Sequence, residues 1–423
     1  MTSKRRDSRR RFASALAPVL LLVLLMFAGC ASGPENPAPD EHPASDQYQP
    51  PAQTPDPNPA APAQARARPP AQAPAANLAR VEAILADMTL REQIAQRFIT
   101  FVPRERPVDH FRKGLTRGPV GGIIIYPWNY TTLDELQAAI LRLDGMTRRV
   151  SGDIGLFVSL DQEGGRVRAL RSDEILQLPS AHNVGRHRDP ELVEALAYAN
   201  SRELKRIGFN MNLAPVLDLY PLADRTIIGD RSFGPEPGMV ASLGEAYLRG
   251  SRRGEVIAVP KHFPGHGVTT VDSHGRLPVS YLTWPQLAGS HALPFRRAVS
   301  SGAEAIMTAH ILFPEIDPEF PVTLSERFLR EILREEFGFD GVIITDAIEM
   351  GAISQNYRTK EMLLQAFSGG IDIVLLHQNL NVWDLIETTE AMVRIGVLEE
   401  EVIVEGTRRV LLLKSRYGLL PER

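Results

Sequence analysis

The chain has 423 residues, 43% of them apolar, and its 47 Lys plus Arg against 51 Asp plus Glu give a formal charge of -4. That length can bury a large core, in one big domain or two ordinary ones, and the near balance of charge, with much of the basic excess at the extreme N-terminus, argues against a nucleic-acid-binding body. The single cysteine, Cys30, excludes an intramolecular disulfide framework and a cysteine-built metal cluster.

Lys4, Arg5, Arg6, Arg9, Arg10 and Arg11 precede an apolar run over residues 12–29 that ends at Ala28-Gly29-Cys30. A basic start, an apolar middle and small residues at the end are the parts of a secretory signal. The 18 residues of the run are also just long enough for a membrane-spanning helix. With a cysteine directly after Ala-Gly, residues 1–30 resemble a bacterial lipoprotein signal, which implies lipidation at Cys30. Ser8-Arg9-Arg10-Arg11-Phe12 also resembles a twin-arginine export signal. Ala31 lacks the aspartate associated with inner-membrane retention. The resemblance therefore implies an exported protein held by lipid in the cell envelope, the outer membrane slightly favoured. Residues 31–77 are dominated by Pro, Ala, Gln and Asp, and 13 of the 33 prolines fall between Pro34 and Pro74. Such a segment has little to bury and is predicted to be a disordered tether.

The body spans residues 78–423. It opens with apolar residues at helical spacing, among them Val81, Ile84, Leu85 and Met88, with Thr89 as a candidate cap for a second helix. Eight short apolar runs follow, separated by helical patterns: residues 97–102, 122–126, 156–160, 210–214, 256–259, 304–308, 342–345 and 371–376. Near-continuous apolar strands alternating with helices predict a parallel sheet covered by helices on its faces. Eight such units most simply close into a (β/α)8 TIM-type barrel of the α/β class, with its chemistry at the C-terminal strand ends. Asp161 follows the third run, Asp218 the fourth, Lys261-His262 the fifth, His310 the sixth and Asp346 the seventh. In an open doubly wound sheet a ligand would sit at one switch point, so polar groups ending strand after strand favour the ring. After the eighth run only 47 residues remain, filled by two helical patterns, which fits one catalytic domain.

The densest stretch is Lys261-His262-Phe263-Pro264-Gly265-His266-Gly267, followed by Val271-Asp272-Ser273-His274. His274 has Asp272 two residues away, and a carboxylate-oriented imidazole is a standard general acid/base. The tripeptide alone would read as a solvated loop. A metal site at His262, His266, Asp272 and His274 matches no ligand spacing, and Lys261 would repel a cation. Asp346 could merely cap the next helix, or serve as a nucleophile or as a stabiliser of positive charge on a sugar ring. Lys261, Arg166, Arg168 and Arg231 supply donors suited to sugar hydroxyls or a carboxylate, and glycines frame Arg231 in the compact Gly229-Asp230-Arg231-Ser232-Phe233-Gly234.

Together with Asp161-Gln162-Glu163-Gly164-Gly165-Arg166-Val167, Met307 to His310, and Phe337-Gly338-Phe339-Asp340-Gly341 through Thr345-Asp346-Ala347, these segments resemble glycoside hydrolase family 3, in its β-N-acetylhexosaminidase branch. The resemblance implies the same barrel, Asp346 as nucleophile, and His274 paired with Asp272 as acid/base. It places Asp161, Arg231, Lys261 and His262 on the sugar of the first subsite. The family pattern has a further arginine after Gly-Gly-Arg, for which Arg168 and Arg171 are both candidates. No cofactor is implied. The implied substrate is a GlcNAc-containing oligosaccharide, from cell wall or chitin, cleaved with retention through a glycosyl-Asp intermediate. Two alternatives stand beside hydrolysis: transfer of the sugar to phosphate, and a non-catalytic wall-binding lipoprotein.

Overall fold

The computed structural model describes residues 75–104, 107–220 and 227–422. The signal segment, Cys30 and nearly all of the tether lie outside the described residues. Helix Ala75–Asp87 opens the body and helix Leu90–Ala95 follows it. Thr89 caps the second helix: its hydroxyl accepts Glu92 N at 3.3 Å while Glu92 Oε2 accepts Thr89 N at 2.8 Å, so two otherwise orphaned amides are satisfied.

Ten strands are described. They are β1 (Phe98–Phe101), β2 (Gly122–Ile125), β3 (Phe157–Leu160), β4 (Gln162–Gly164), β5 (Val167–Arg168), β6 (Met211–Asn212), β7 (Ile257–Ala258), β8 (Ala305–Thr308), β9 (Val342–Thr345) and β10 (Val374–Leu375). Eight of them fall on the eight apolar runs. A six-stranded parallel sheet has the order β10-β1-β2-β3-β6-β7, and β8 pairs with β9, also parallel. Single parallel bridges, Phe263 to Thr308 and Ile344 to Ile373, link the segment after β7 to β8, and β9 to the segment before β10. The result is an α/β fold built on a curled parallel sheet.

Side chains on successive strand residues go to opposite faces, and here both faces are dry. Ile99, Ile124, Phe157, Met211, Ile257 and Ile344 belong to one buried cluster, on the concave side. Phe98, Ile123, Ile125, Val158, Ile306 and Ile343 belong to another, packed under the helices. Burial on both sides is why the runs read as continuous apolar stretches rather than as alternation. The covering helices bury one stripe each. Helix Pro190–Ile207 turns Val193, Ala197, Leu204 and Ile207 inward, is capped by Asp189, and ends at Gly208 with φ 115°.

Two features depart from the sequence expectation. The runs at 210–214, 256–259 and 371–376 yield strands of only two residues. In the first of these, side chains take over ladder bonds: Asn210 Oδ1 accepts Val158 N at 2.9 Å, and Asn212 Oδ1 accepts Gln162 N at 3.0 Å. The second is the antiparallel hairpin β4–β5 beyond β3, which has no apolar alternation to announce it. It turns through Gly164 and Gly165, with φ of 103° and 55°, a region that glycine enters without steric penalty.

Candidate active site at the C-terminal strand ends

The polar residues that end the strands converge in two linked groups. In the first, Lys261 Nζ donates to Asp161 Oδ1 at 2.5 Å and to Glu163 Oε1 at 2.7 Å. Arg231 completes the group with two parallel 2.8 Å bonds to the Glu163 carboxylate, and its third nitrogen donates to Ile227 O at 2.8 Å. Lys261 and Glu163 are almost fully buried. Burial alone would lower the Lys261 ammonium, but Asp161 and then Glu163 more than offset it and keep it charged. Burial would likewise raise Glu163, yet Arg231 and Lys261 bring its carboxyl down to about 2.

In the second group Asp218 is the hub. Its carboxylate, fully buried, accepts His262 N at 3.1 Å, His266 N at 2.6 Å and His262 Nδ1 at 2.7 Å. The other ring nitrogen, His262 Nε2, lies 4.0 Å from Asp346 Oδ2. Asp346 Oδ1 accepts the amide of Ala347 at 2.7 Å, and the Ala347 carbonyl accepts His310 Nε2 at 3.1 Å. Burial pushes against ionisation of Asp346, but the charges of His262 and His310 and the Ala347 amide hold it below the usual carboxylate range.

The Lys261–Gly267 stretch can pass this close because it carries glycines where backbone must approach backbone. A Cβ on Gly267 would stand 1.8 Å from Leu219 O, and Gly265 has φ 133°.

His274 Nδ1 and Asp272 Oδ1 are 2.8 Å apart on an exposed loop, and Asp272 Oδ1 also accepts the His274 amide at 2.8 Å. Desolvation opposes ionisation of Asp272, but these two bonds hold it below the usual range. The loop is tied down on both sides. Ser273 Oγ, buried, meets His266 Nε2 at 3.1 Å. Ser273 O and His274 O accept the amides of Ala352 and Gly351, each at 3.0 Å, and Gln355 Nε2 donates to Gly275 O at 3.0 Å. The Asp272–His274 pair is thus moored to the segment that begins five residues beyond Asp346.

Of the residues singled out from sequence, the structure links Asp161 directly to Lys261, Lys261 to Arg231 through Glu163, and sets His262 4.0 Å from Asp346. It places Arg168 on β5, half-buried, with its Nη1 on Gln177 Oε1 at 3.0 Å. Arg171 is exposed and donates to Arg168 O at 3.3 Å. Arg166 pairs with Asp230 at 3.0 Å. Cys30 lies outside the described residues. Sequence reasoning gave no role to Glu163 or Asp218, although both stood in view, one inside the Asp161–Val167 motif and the other at a strand end. Among the described residues no group of three or more His, Cys, Asp or Glu side chains is arranged to hold a metal ion.

A curled parallel sheet with carboxylates, a lysine and imidazoles gathered beyond the C-terminal ends of its strands defines an α/β enzyme. Residues 89–413 match the N-terminal domain of glycosyl hydrolase family 3. Among similar proteins is a β-hexosaminidase of Nitrosomonas eutropha, 35% identical over 274 residues, covering 63% of this chain and 76% of the relative. A β-hexosaminidase of Mycobacterium tuberculosis is 31% identical over 341 residues, covering 78% of this chain and 84% of the relative. The solved structure of a family 3 β-N-acetylglucosaminidase from Paenibacillus superposes with a TM-score of 0.75 at 36% identity, covering 78% of this chain and 63% of that one. The chain belongs to glycoside hydrolase family 3 and is a glycoside hydrolase of the β-N-acetylhexosaminidase type.

Proposed function

We propose that the protein is a retaining exo-β-N-acetylglucosaminidase that removes terminal GlcNAc from wall-derived or chitin-type oligosaccharides. The observation that carries the mechanism is the mooring of the Asp272–His274 pair to residues 351 and 352, just beyond Asp346. It supports an arrangement in which an imidazole with an oriented Nδ1 and an ionised carboxylate act at one mouth, the two groups that double displacement requires.

In the first step a carboxylate oxygen of Asp346 bonds to the anomeric carbon as the glycosidic bond breaks. His274 Nε2 gives its proton to the departing oxygen. In the second, the same nitrogen takes a proton from water, whose oxygen displaces Asp346 and releases the sugar with its configuration retained. Asp272, bonded to Nδ1, stabilises the imidazolium and keeps Nε2 turned to the reacting oxygen. Asp161, Lys261 and His262 are assigned to the hydroxyls of the first sugar, with Arg231 aligning Lys261 through Glu163. Arg168 is assigned to the edge of the same subsite.

The bridges at Phe263–Thr308 and Ile344–Ile373 support an eight-stranded (β/α)8 barrel closed around the concave cluster, as one catalytic domain over residues 78–423. The basic and apolar start of the chain and Cys30 support export and lipid anchoring in the cell envelope, with the segment between Cys30 and helix Ala75–Asp87 as tether.

The test compares release of 4-nitrophenol from the N-acetyl-β-D-glucosaminide and from the β-glucoside by the wild-type chain, Asp346→Ala and His274→Ala. Preference for the N-acetyl sugar, abolished by the first change and strongly reduced by the second, is expected. Equal turnover of both glycosides, or full activity in Asp346→Ala, would refute the reading.

A further inference from the structure

Beyond the strand-end cluster, one aromatic group at the same mouth has no part in the mechanism. Tyr126 directly follows β2, whose last residue, Ile125, is in register with Leu160, so Tyr126 stands beside Asp161 across the sheet. Its ring stacks on Trp128 with centroids 4.5 Å apart and planes 15° from parallel. His377, beyond β10, meets the Tyr126 hydroxyl with Nδ1 at 2.7 Å and sets its ring edge-on at 4.7 Å.

Single exposed apolar side chains are common and need no explanation. Trp128 differs in how firmly it is held while remaining 40% exposed. Asn129 locks the turn, its Oδ1 accepting Tyr126 N at 2.8 Å and its Nδ2 donating to Val102 O at 2.7 Å. Glu349, three residues past Asp346, accepts the amides of His377 at 2.8 Å, Gln378 and Asn379 at 3.2 Å, and Leu380 at 3.4 Å. The aromatic group is therefore fixed to the same backbone segment as Asp346.

We propose that Tyr126, Trp128 and His377 form a stacking platform for a second pyranose ring, on the leaving-group side of the bond to be cut. This rests on the glycosidase reading above. Lys261 and His262 are only 2% and 6% exposed, so the sugar they hold sits deep. In an exo-acting enzyme everything outward of that sugar is leaving group, and the outward surface is where the Trp128 indole lies open. A flat indole with one face already backed by Tyr126 offers the other to the C–H face of a sugar, while its rigidity spares the ordering cost of a mobile side chain.

The test is the ratio of kcat/KM for N,N′-diacetylchitobiose to that for N-acetyl-β-D-glucosaminyl fluoride, whose single-atom leaving group cannot reach the platform. It is measured for the full chain, Trp128→Ala and Trp128→Phe. The ratio is expected to fall about fivefold in Trp128→Ala, mainly through KM for the disaccharide, and to recover in part in Trp128→Phe. The same ratio in all three proteins overturns the platform while leaving the glycosidase reading intact. No turnover of either substrate by the wild-type chain overturns that reading, and the platform's assignment to a leaving group with it.

Discussion

His262 Nε2 lies 4.0 Å from Asp346 Oδ2, and the opposite nitrogen of the same ring is held by Asp218 at 2.7 Å. With Nδ1 committed to a buried carboxylate, the ring's orientation toward Asp346 is fixed from behind, and in the proposed site Nε2 would meet a sugar hydroxyl. The Asp218 carboxylate is fully buried and bonds to His262 and His266, so in the proposed site it would not reach the sugar. Its influence passes through His262.

Replacing Asp218 by Asn keeps size but removes the charge that orients the ring. A loss of about tenfold to a hundredfold in kcat/KM is expected, the range typical of groups that align a functional histidine. Thermal unfolding separates this from misfolding. Asp218→Asn should melt near wild type, whereas Asp218→Ala, which strips three hydrogen bonds from buried donors, should melt markedly lower.

Glu163 joins two buried cations, so truncating it leaves both uncompensated. Glu163→Ala should lose roughly 3–5 kcal/mol of stability in urea unfolding. The wild-type contribution also has a pH window. The folded carboxyl titrates at about 2 against 4.5 in the unfolded chain, so its stabilisation is complete above 4.5 and is lost as the pH falls toward 2. Between those limits the unfolding midpoint of the wild type should drop more steeply than that of the variant.

His266 and His291 are buried, and burial holds both imidazoles down to about 4, with the charge of His262 adding to the effect on His266. The unfolded chain takes up protons below 6.5 that the folded one refuses until about 4, so stability rises with pH across that interval. Urea midpoints at pH 4.5, 5.5 and 6.5 should therefore increase. The increase should flatten in His266→Gln and in His291→Gln. A midpoint independent of pH over this range would contradict the burial of neutral imidazoles.

Ser273 moors the loop that carries the proposed acid/base pair through its bond to His266 Nε2 at 3.1 Å. Removing its hydroxyl leaves the Asp272–His274 pair intact but loosens its position relative to Asp346. Ser273→Ala is expected to lower kcat about threefold to tenfold with a smaller change in KM, because misplacement acts on the chemical step. A change confined to KM would place Ser273 in sugar binding instead.

Much of this is legible in the sequence. The eight apolar runs are the eight parallel strands, because a sheet buried on both faces must be apolar at nearly every position. Asp161, Lys261, His262 and Asp346 stood out because each follows such a run. Asp218 follows a run as well, and Glu163 lies inside a motif, but the roles of both stayed hidden, for a physical reason. Their roles come from partners distant in sequence, 68 residues for Arg231 and 44 for His262, and no local spacing encodes such a pair. The same holds for Arg231, whose compact glycine-framed loop marked it as unusual without revealing that its donors turn to Glu163 and Ile227 O. The β4–β5 hairpin was missed because glycines and charges, not alternation, shape it.

The most direct test of double displacement at this site is to identify the residue that becomes glycosylated during turnover. The full chain is incubated with a slow fluorinated N-acetylglucosaminyl fluoride, quenched in acid, digested and mapped by mass spectrometry. A sugar adduct on Asp346, absent when Asp346 is replaced by Asn, is the expected result. Turnover with the adduct on another residue, or with inverted configuration in the first-formed product, would contradict it.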